Sequence, residues 1–181
     1  MISPRRDLSR AVTALALVAA ALAGGCSDSG TQSAASPAAG GPHRGPFFPQ
    51  CGGVSDQTIA RLTRLSGLAN TAQNSVGCQW LLHGSIRGPY FSFSWYRSSP
   101  IGRERRTVQV NHPSVEDITI SGHNGFIATG SEANLGDNLC EIGLQFDDDF
   151  IEWTVYFNQK PFPDPCDIAK ELTRQSVANS R

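Results

Sequence analysis

Apolar residues between positions 50 and 181 follow two spacings, and these spacings predict strands and helices. Phe91, Phe93 and Trp95 alternate with Ser92 and Ser94, which is typical of a strand that buries one face. The same period of two predicts further strands at 77–82, 118–120, 126–129, 140–146 and 151–157.

Helix signals stand at both ends of this region. Ser55 is a suitable N-cap for a helix over 56–68. Asp164 can cap a last helix that begins at Pro165, because proline is favoured at the first helical position. A short helical turn is also predicted at 113–117.

The predicted elements follow one another in the order helix, two strands, short helix, about four strands, helix. This order is typical of the α+β class. We therefore predict a single antiparallel sheet of about five to six strands. The N- and C-terminal helices should pack together on one face of that sheet.

The first 25 residues have a different pattern, which predicts a lipoprotein signal peptide. Arginines precede an apolar run over 11–23 that is too short to span a bilayer, and small residues then lead to Cys26. A cysteine at this place is the acceptor of a diacylglyceryl group, and cleavage makes it the new N-terminus. Ala23 stands where such signals usually have leucine. The alternative is a secreted protein cut nearby, with Cys26 as a spare thiol.

Residues 26–49 are predicted to be the acylated cysteine and a mobile tether, because this stretch is rich in Ser, Ala, Gly and Pro. Residues 50–181 are predicted to form the globular domain. The chain of 181 residues has a formal net charge of −1, which gives no support to nucleic-acid binding. We expect the protein on the extracytoplasmic face of the cell membrane, anchored by its lipid.

Four cysteines remain in the domain once Cys26 is assigned to the lipid. An even number in an exported domain predicts two disulfides. We favour the pairs Cys51–Cys78 and Cys140–Cys166, since each would join the start of a helix to a strand. Cys51–Cys166 with Cys78–Cys140 is the alternative. No C-x-x-C or histidine-rich spacing predicts a zinc site, and no cofactor is expected.

No set of residues predicts catalysis, and we expect a protein that is not an enzyme. The chain lacks the Gly-x-Ser-x-Gly turn of a hydrolase nucleophile. His123 lies close in sequence to Asp117 and Ser121, but a histidine in a glycine-rich turn is usually solvated. The acidic run 147–149 could attract Ca²⁺, although a solvated hairpin tip is favoured because the EF-hand glycine and glutamate are missing.

Tyrosines and arginines of the domain form the predicted interaction surface. The tyrosines occupy strand positions opposite the core residues, and the arginines form a basic patch suited to anionic groups. The residues are Tyr90, Tyr96, Arg97, Arg103, Arg105, Arg106 and Tyr156.

Four segments resemble a family of actinobacterial lipoproteins of unknown function that includes mycobacterial members. They are PFFPQCGGVSD at 46–56, NSVGCQW at 74–80, FSFSWYR at 91–97 and PCDIAKEL at 165–172. The resemblance implies envelope location, acylation and the fold of the domain. It implies no catalytic residues, because the family has none assigned.

Three functions fit these observations. We favour a membrane-anchored module that binds an envelope lipid, glycan or peptide. The alternative is an accessory or structural subunit that docks onto another envelope protein, and an enzyme acting on envelope material is less favoured. An enclosed apolar cavity of several hundred Å³ would support a lipid ligand, whereas a filled core would argue against one.

Overall fold

A computed structural model describes residues 44–84 and 87–181. Cys26, the predicted signal peptide and most of the predicted tether lie outside these residues. The helices are α1 (Asp56–Thr63), α2 (Ile101–Asn111) and α3 (Pro165–Asn179). The strands are β1 (Leu68–Asn74), β2 (Gly77–Leu82), β3 (Tyr90–Tyr96), β4 (Ser114–Ile120), β5 (His123–Glu132), β6 (Gly136–Phe146) and β7 (Asp149–Tyr156).

The strands form one antiparallel sheet in the order β1-β2-β3-β7-β6-β5-β4. The chain builds β1 to β3, crosses to the far edge through α2, and returns strand by strand until β7 pairs with β3. β7 is therefore central, and all its residues except Tyr156 are buried. The α+β class is confirmed, with seven strands in place of the five to six predicted.

One face of the sheet, the first face, packs against α1, α3 and the 3₁₀ turn Gln50–Gly53. Trp80 and Trp153 stack there with ring centroids 5.8 Å apart. Each indole N–H has a partner, because Trp80 donates to Asp56 Oδ1 at 2.7 Å and Trp153 donates to Ser176 Oγ at 2.9 Å. The N- and C-terminal helices thus share one face, as predicted.

Both favoured disulfides are present, Cys51–Cys78 and Cys140–Cys166. Each links a residue at the start of a helical segment to a strand of the first face. The pairing predicted from the cysteine positions is therefore confirmed.

Two predicted helical segments differ from the structure. Helix α1 begins as predicted, with Ser55 Oγ accepting from Thr58 N, but it ends at Thr63 because Arg64 adopts a left-handed conformation. Residues 113–117, predicted as a helical turn, belong to edge strand β4. The helix of this region is α2, and it contains Arg103, Arg105 and Arg106 of the predicted basic patch.

The domain begins earlier than residue 50, the boundary predicted from composition. Phe48 is only 2% exposed and packs against Trp95 and Phe146, with centroids 5.6 and 5.0 Å away. Phe47 N donates to Arg181 O at 2.8 Å, and Arg181 N donates back to Phe47 O at 3.0 Å. Residues 44–49 therefore belong to the folded domain, because Phe48 supplies core volume that the Ser- and Gly-rich residues before it lack.

Candidate binding site

In the described part of the chain, one helix lies on the second face of the sheet. Helix α2 packs over β4, β5 and β6 through Val108, which contacts Phe126 and Ala128. Gly143 of β6 makes this possible, since a Cβ there would lie 2.5 Å from Phe126 Cε1. Strands β3 and β7 form the neighbouring part of the second face, next to the strands that α2 packs over.

Three predicted residues lie on this side of the second face, two of them in contact. Tyr90 of β3 lies opposite Tyr156 of β7, with ring centroids 5.1 Å apart. Tyr96 lies at the other end of β3 and stacks on Phe150 at 4.2 Å. All three tyrosines are half-buried, so each presents part of its ring to solvent.

Small polar residues and one acid lie between the two aromatic pairs. Ser92 is opposite Thr154 and Ser94 is opposite Glu152 in the β3–β7 register. This polar floor with its aromatic ends is called the tyrosine trough. Its members are Tyr90, Ser92, Ser94, Tyr96, Glu152, Thr154 and Tyr156.

A hollow of about 310 Å³ adjoins Tyr156 at the C-terminal end of α2. The Tyr156 hydroxyl donates to Glu132 Oε1 at 2.9 Å, and Asn138 Nδ2 donates to the same oxygen at 3.0 Å. Burial and the hydrogen bond to Glu132 raise the pKa of Tyr156. The hollow is lined by Asn111, His112, Pro113, Gly130, Ser131, Glu132, Asn138, Leu139 and Tyr156.

The predicted arginines do not form one patch. Arg97 lies over the ring of Trp95 at 4.8 Å, and Trp95 belongs to the first face. Arg103 donates to Ser99 Oγ at 3.1 Å, and Arg105 forms an ion pair with Asp117 of β4. Arg103, Arg105 and Arg106 thus lie on α2, with Arg105 directed to edge strand β4, while Arg97 follows β3 and is separate from them.

Three carboxyl groups on the second face interact electrostatically and are called the acidic cluster: Glu104 of α2, Glu141 of β6 and Glu152 of β7. Glu152 is 9% exposed, and its Oε2 has no hydrogen-bond partner among the described residues. Burial, reinforced by the charges of Glu141 and Glu104, raises the pKa of Glu152 to about 8. Burial also raises the pKa of Glu141, which Glu104 raises further and His112 lowers.

His112 ends α2 and faces this cluster. Its Nε2 lies 3.4 Å from Glu141 Oε2, and its Nδ1 lies 3.1 Å from Val108 O. Nε2 has no hydrogen-bond partner among the described residues, so its approach to Glu141 is a close polar contact without hydrogen-bond geometry.

Sequence reasoning missed the acidic cluster. Glu141 and Glu152 occupy outward positions of two predicted strands, which is where solvated residues are expected. Only recognition of α2 shows that these positions are covered. The signal available was helical spacing of Ile101, Glu104 and Val108.

The remaining candidate residues do not lie together in one site. His123 packs on Phe146 with centroids 4.2 Å apart on the first face, whereas Asp117 is paired with Arg105 beside the second face. Asp149, predicted to lie in the hairpin tip, is buried in β7, where its Oδ1 accepts from Ser98 N at 2.8 Å. Within residues 44–84 and 87–181, no three His, Cys, Asp or Glu side chains could hold a metal ion.

The hollows found on the described part of the domain have volumes of about 220–410 Å³ and open to solvent. The core of the first face is filled by close-packed side chains, many of them fully buried. Each described helix is too short or too polar to cross a membrane.

The chain belongs to a family described as protein of unknown function, DUF3558, whose model matches residues 21–179. It is similar to proteins named "Putative lipoprotein LprB" in Mycobacterium tuberculosis and Mycobacterium bovis, at 64% identity over 97% of this chain and of each relative. The protein of the same name in Mycobacterium leprae is 62% identical over 87% of this chain and 86% of its own. No solved structure matches the chain.

Proposed function

We propose that this protein is a lipid-anchored binding module of the cell envelope whose ligand is a glycan held in the tyrosine trough. The anchor would be a diacylglyceryl group on Cys26, on the extracytoplasmic face of the cell membrane. The arginines, apolar run and small residues that precede Cys26 support acylation. The lipoprotein name of the mycobacterial relatives supports it too.

The observation that carries the binding proposal is the placement of three tyrosines around a polar floor. A tyrosine ring offers an apolar surface to stack on and a hydroxyl for hydrogen bonds, which suits the ring faces and hydroxyls of sugars. Tyr90 and Tyr96 are six positions apart on one strand, so the trough is about 20 Å long at ~3.3 Å per residue. This length suits a chain of several sugar rings.

A lipid is less favoured as the ligand because the hollows described above are open and the core is filled. Burying an acyl chain requires an enclosed apolar space of several hundred Å³. A peptide or partner protein could also use the trough. A glycan is preferred because the accessible part of the floor offers the hydroxyl groups of half-buried Ser92 and Ser94 in place of apolar pockets for side chains, whereas Thr154 and Glu152 opposite them are buried.

Calorimetric titration tests the proposal. Soluble oligosaccharides released from mycobacterial cell walls are added to the acylated protein in detergent micelles. Tyr90→Ala and Tyr156→Ala should each weaken binding about threefold to tenfold, the equivalent of ~0.5–1.5 kcal/mol for one aromatic contact. Val110→Ala is the matched control, since Val110 is 84% exposed on α2 and outside the trough.

Binding that is equally strong in the tyrosine variants would place the glycan elsewhere and reject the trough. Absence of binding to every oligosaccharide, together with saturable binding of a purified envelope protein lost in Tyr96→Ala, would favour the accessory-subunit alternative.

A further inference from the structure

Helix α2 is held on the second face by few contacts. Val108 is its one buried apolar residue, and half-buried Ile101 adds to the same small group. Ile101 N donates to Gln145 Oε1 at 3.3 Å, and Arg105 pairs with Asp117. The outer side of the helix, including Val110, is exposed. The position of α2 therefore also depends on the charges of the sheet residues near it.

What lies beneath it is acidic. Glu141 of β6 and Glu152 of β7 are diagonal neighbours on the second face, because Glu141 pairs with Thr154 and Glu152 pairs with Gly143. The charge of Glu104 on α2 raises the pKa of both. Among the groups that face the cluster, β3 contributes Tyr90 and Tyr96.

His112 at the end of α2 is the basic group within reach of Glu141. Arg105 is engaged by Asp117 of β4. One imidazole beside Glu141 cannot compensate three carboxylates, so full ionisation of the cluster would leave uncompensated like charges.

We propose that protons held in the acidic cluster fasten α2 to the sheet, and that losing them releases α2 and widens the tyrosine trough. The regulatory role rests on the proposed function of the trough, whereas the release of α2 does not. The cluster adjoins the trough at β7, because Glu152 belongs to both. A change at the cluster therefore reaches the trough through Glu152 and the two tyrosines of β3.

Charge repulsion is the physical cause of the release. Burial holds the pKa of Glu152 at about 8, so its carboxyl is mostly neutral at lower pH and needs no counter-charge. When it ionises, its charge adds to those of Glu104 and Glu141 in a poorly solvated place, where like charges repel strongly. The apolar contact around Val108, the Ile101–Gln145 hydrogen bond and the exposed Arg105–Asp117 pair are then the attractions left to hold the helix.

Hydrogen exchange measured by mass spectrometry tests whether ionisation of the acidic cluster releases α2, and it needs no ligand. The acylated protein in detergent micelles is compared at about pH 7 and about pH 9, after correction for intrinsic exchange rates. We expect the amides of α2 to lose at least about tenfold of their protection at the higher pH, while α3 keeps its protection. Glu152→Gln, a neutral isostere, should keep α2 protected at both pH values.

Glu171→Gln is the matched control, because Glu171 lies on α3 and is paired with Arg174. It should behave like the wild type. The proposal is overturned if α2 protection is the same at both pH values in the wild type, or if Glu152→Gln loses protection as the wild type does.

Unprotected α3 amides would show that Glu152→Gln does not fold. In that case Glu104→Gln replaces it, because Glu104 is a half-buried residue of α2 and its substitution also removes one charge from the acidic cluster. This variant should retain the protection of the α2 amides at about pH 9. A loss of protection equal to that of the wild type would reject the proposed release of α2 by the acidic cluster. Because no glycan is present, failure of glycan binding leaves this result unchanged.

Discussion

Glu152 lies in the middle of the central strand β7, where burial changes the chemistry of its carboxyl group. Its neighbours along the strand are Ile151 and Trp153, both fully buried in the first face. Its own side chain points to the second face, where Glu141 and Glu104 add negative charge. The residue is therefore neutral over much of the pH range in which a surface glutamate is charged.

This ionisation predicts how stability depends on pH. The folded pKa of about 8 lies above the ordinary value of 4.5, so the stabilisation that the bound proton provides is fully present below about pH 4.5. That contribution is lost as the pH rises through about 8. Glu152→Gln should remove this dependence and raise the free energy of unfolding near pH 9 by on the order of 2–4 kcal/mol.

Urea unfolding at about pH 6 and about pH 9 measures this difference. Profiles of wild type and Glu152→Gln that run parallel between the two pH values would show that the carboxyl ionises normally. Glu171→Gln again serves as the surface control, and its effect on the free energy of unfolding should stay within about 0.5 kcal/mol.

At the scale of elements, sequence pattern predicted those parts whose apolar spacing is unambiguous. β3 and β7 alternate large apolar residues, and α3 has both a capping aspartate and a proline at its start. β1 was not predicted because it is an edge strand that is mostly polar and exposed. α2 was not predicted because a helix that covers a partly polar face needs only a narrow apolar stripe.

Because α2 was not predicted, only part of the candidate site could be predicted from the sequence. The tyrosines were placed correctly, since alternation alone puts them opposite the core. The acidic cluster was not foreseen, because it is formed by contact between α2 and strands that are distant in sequence.

Substitution of Gly143 tests how tightly Phe126 packs between β6 and α2. Gly143→Ala places a methyl group against the Phe126 ring, and a side chain fixed between the sheet and α2 cannot move away freely. We expect a loss of about 1–3 kcal/mol in the free energy of unfolding. Gly102→Ala is the control within α2, because its nearest atom is 3.8 Å away and alanine favours a helix.

Thermal unfolding compares these two variants with the wild type. A Gly143→Ala protein as stable as the wild type would show that Phe126 does not lie tightly against β6.

At the scale of the whole molecule, the chain combines a predicted lipid anchor with a domain whose first face is filled. The described domain starts at least as early as residue 44, so the tether proposed between Cys26 and the domain is shorter than composition predicted. The second face, with its trough and its sparsely held helix, is then the surface best suited to a ligand.

Cys26→Ala tests the anchor. Without a thiol the diacylglyceryl group cannot be attached, and the two acyl chains that give stable membrane attachment are lost. The variant should incorporate no labelled palmitate and should leave the membrane fraction. Labelling equal to that of the wild type would show that Cys26 is not the acceptor. Cys51 and Cys78 offer no substitute, because they are joined in a disulfide.

The most direct test of the binding face is a nuclear magnetic resonance titration of the isotope-labelled protein with cell-wall oligosaccharides. Binding in the trough predicts that the amide signals of Ser92, Ser94 and Thr154 shift in a saturable way, while those of α3 do not. Saturable shifts confined to α3 and the first face, or no shifts at saturating oligosaccharide, would contradict the account.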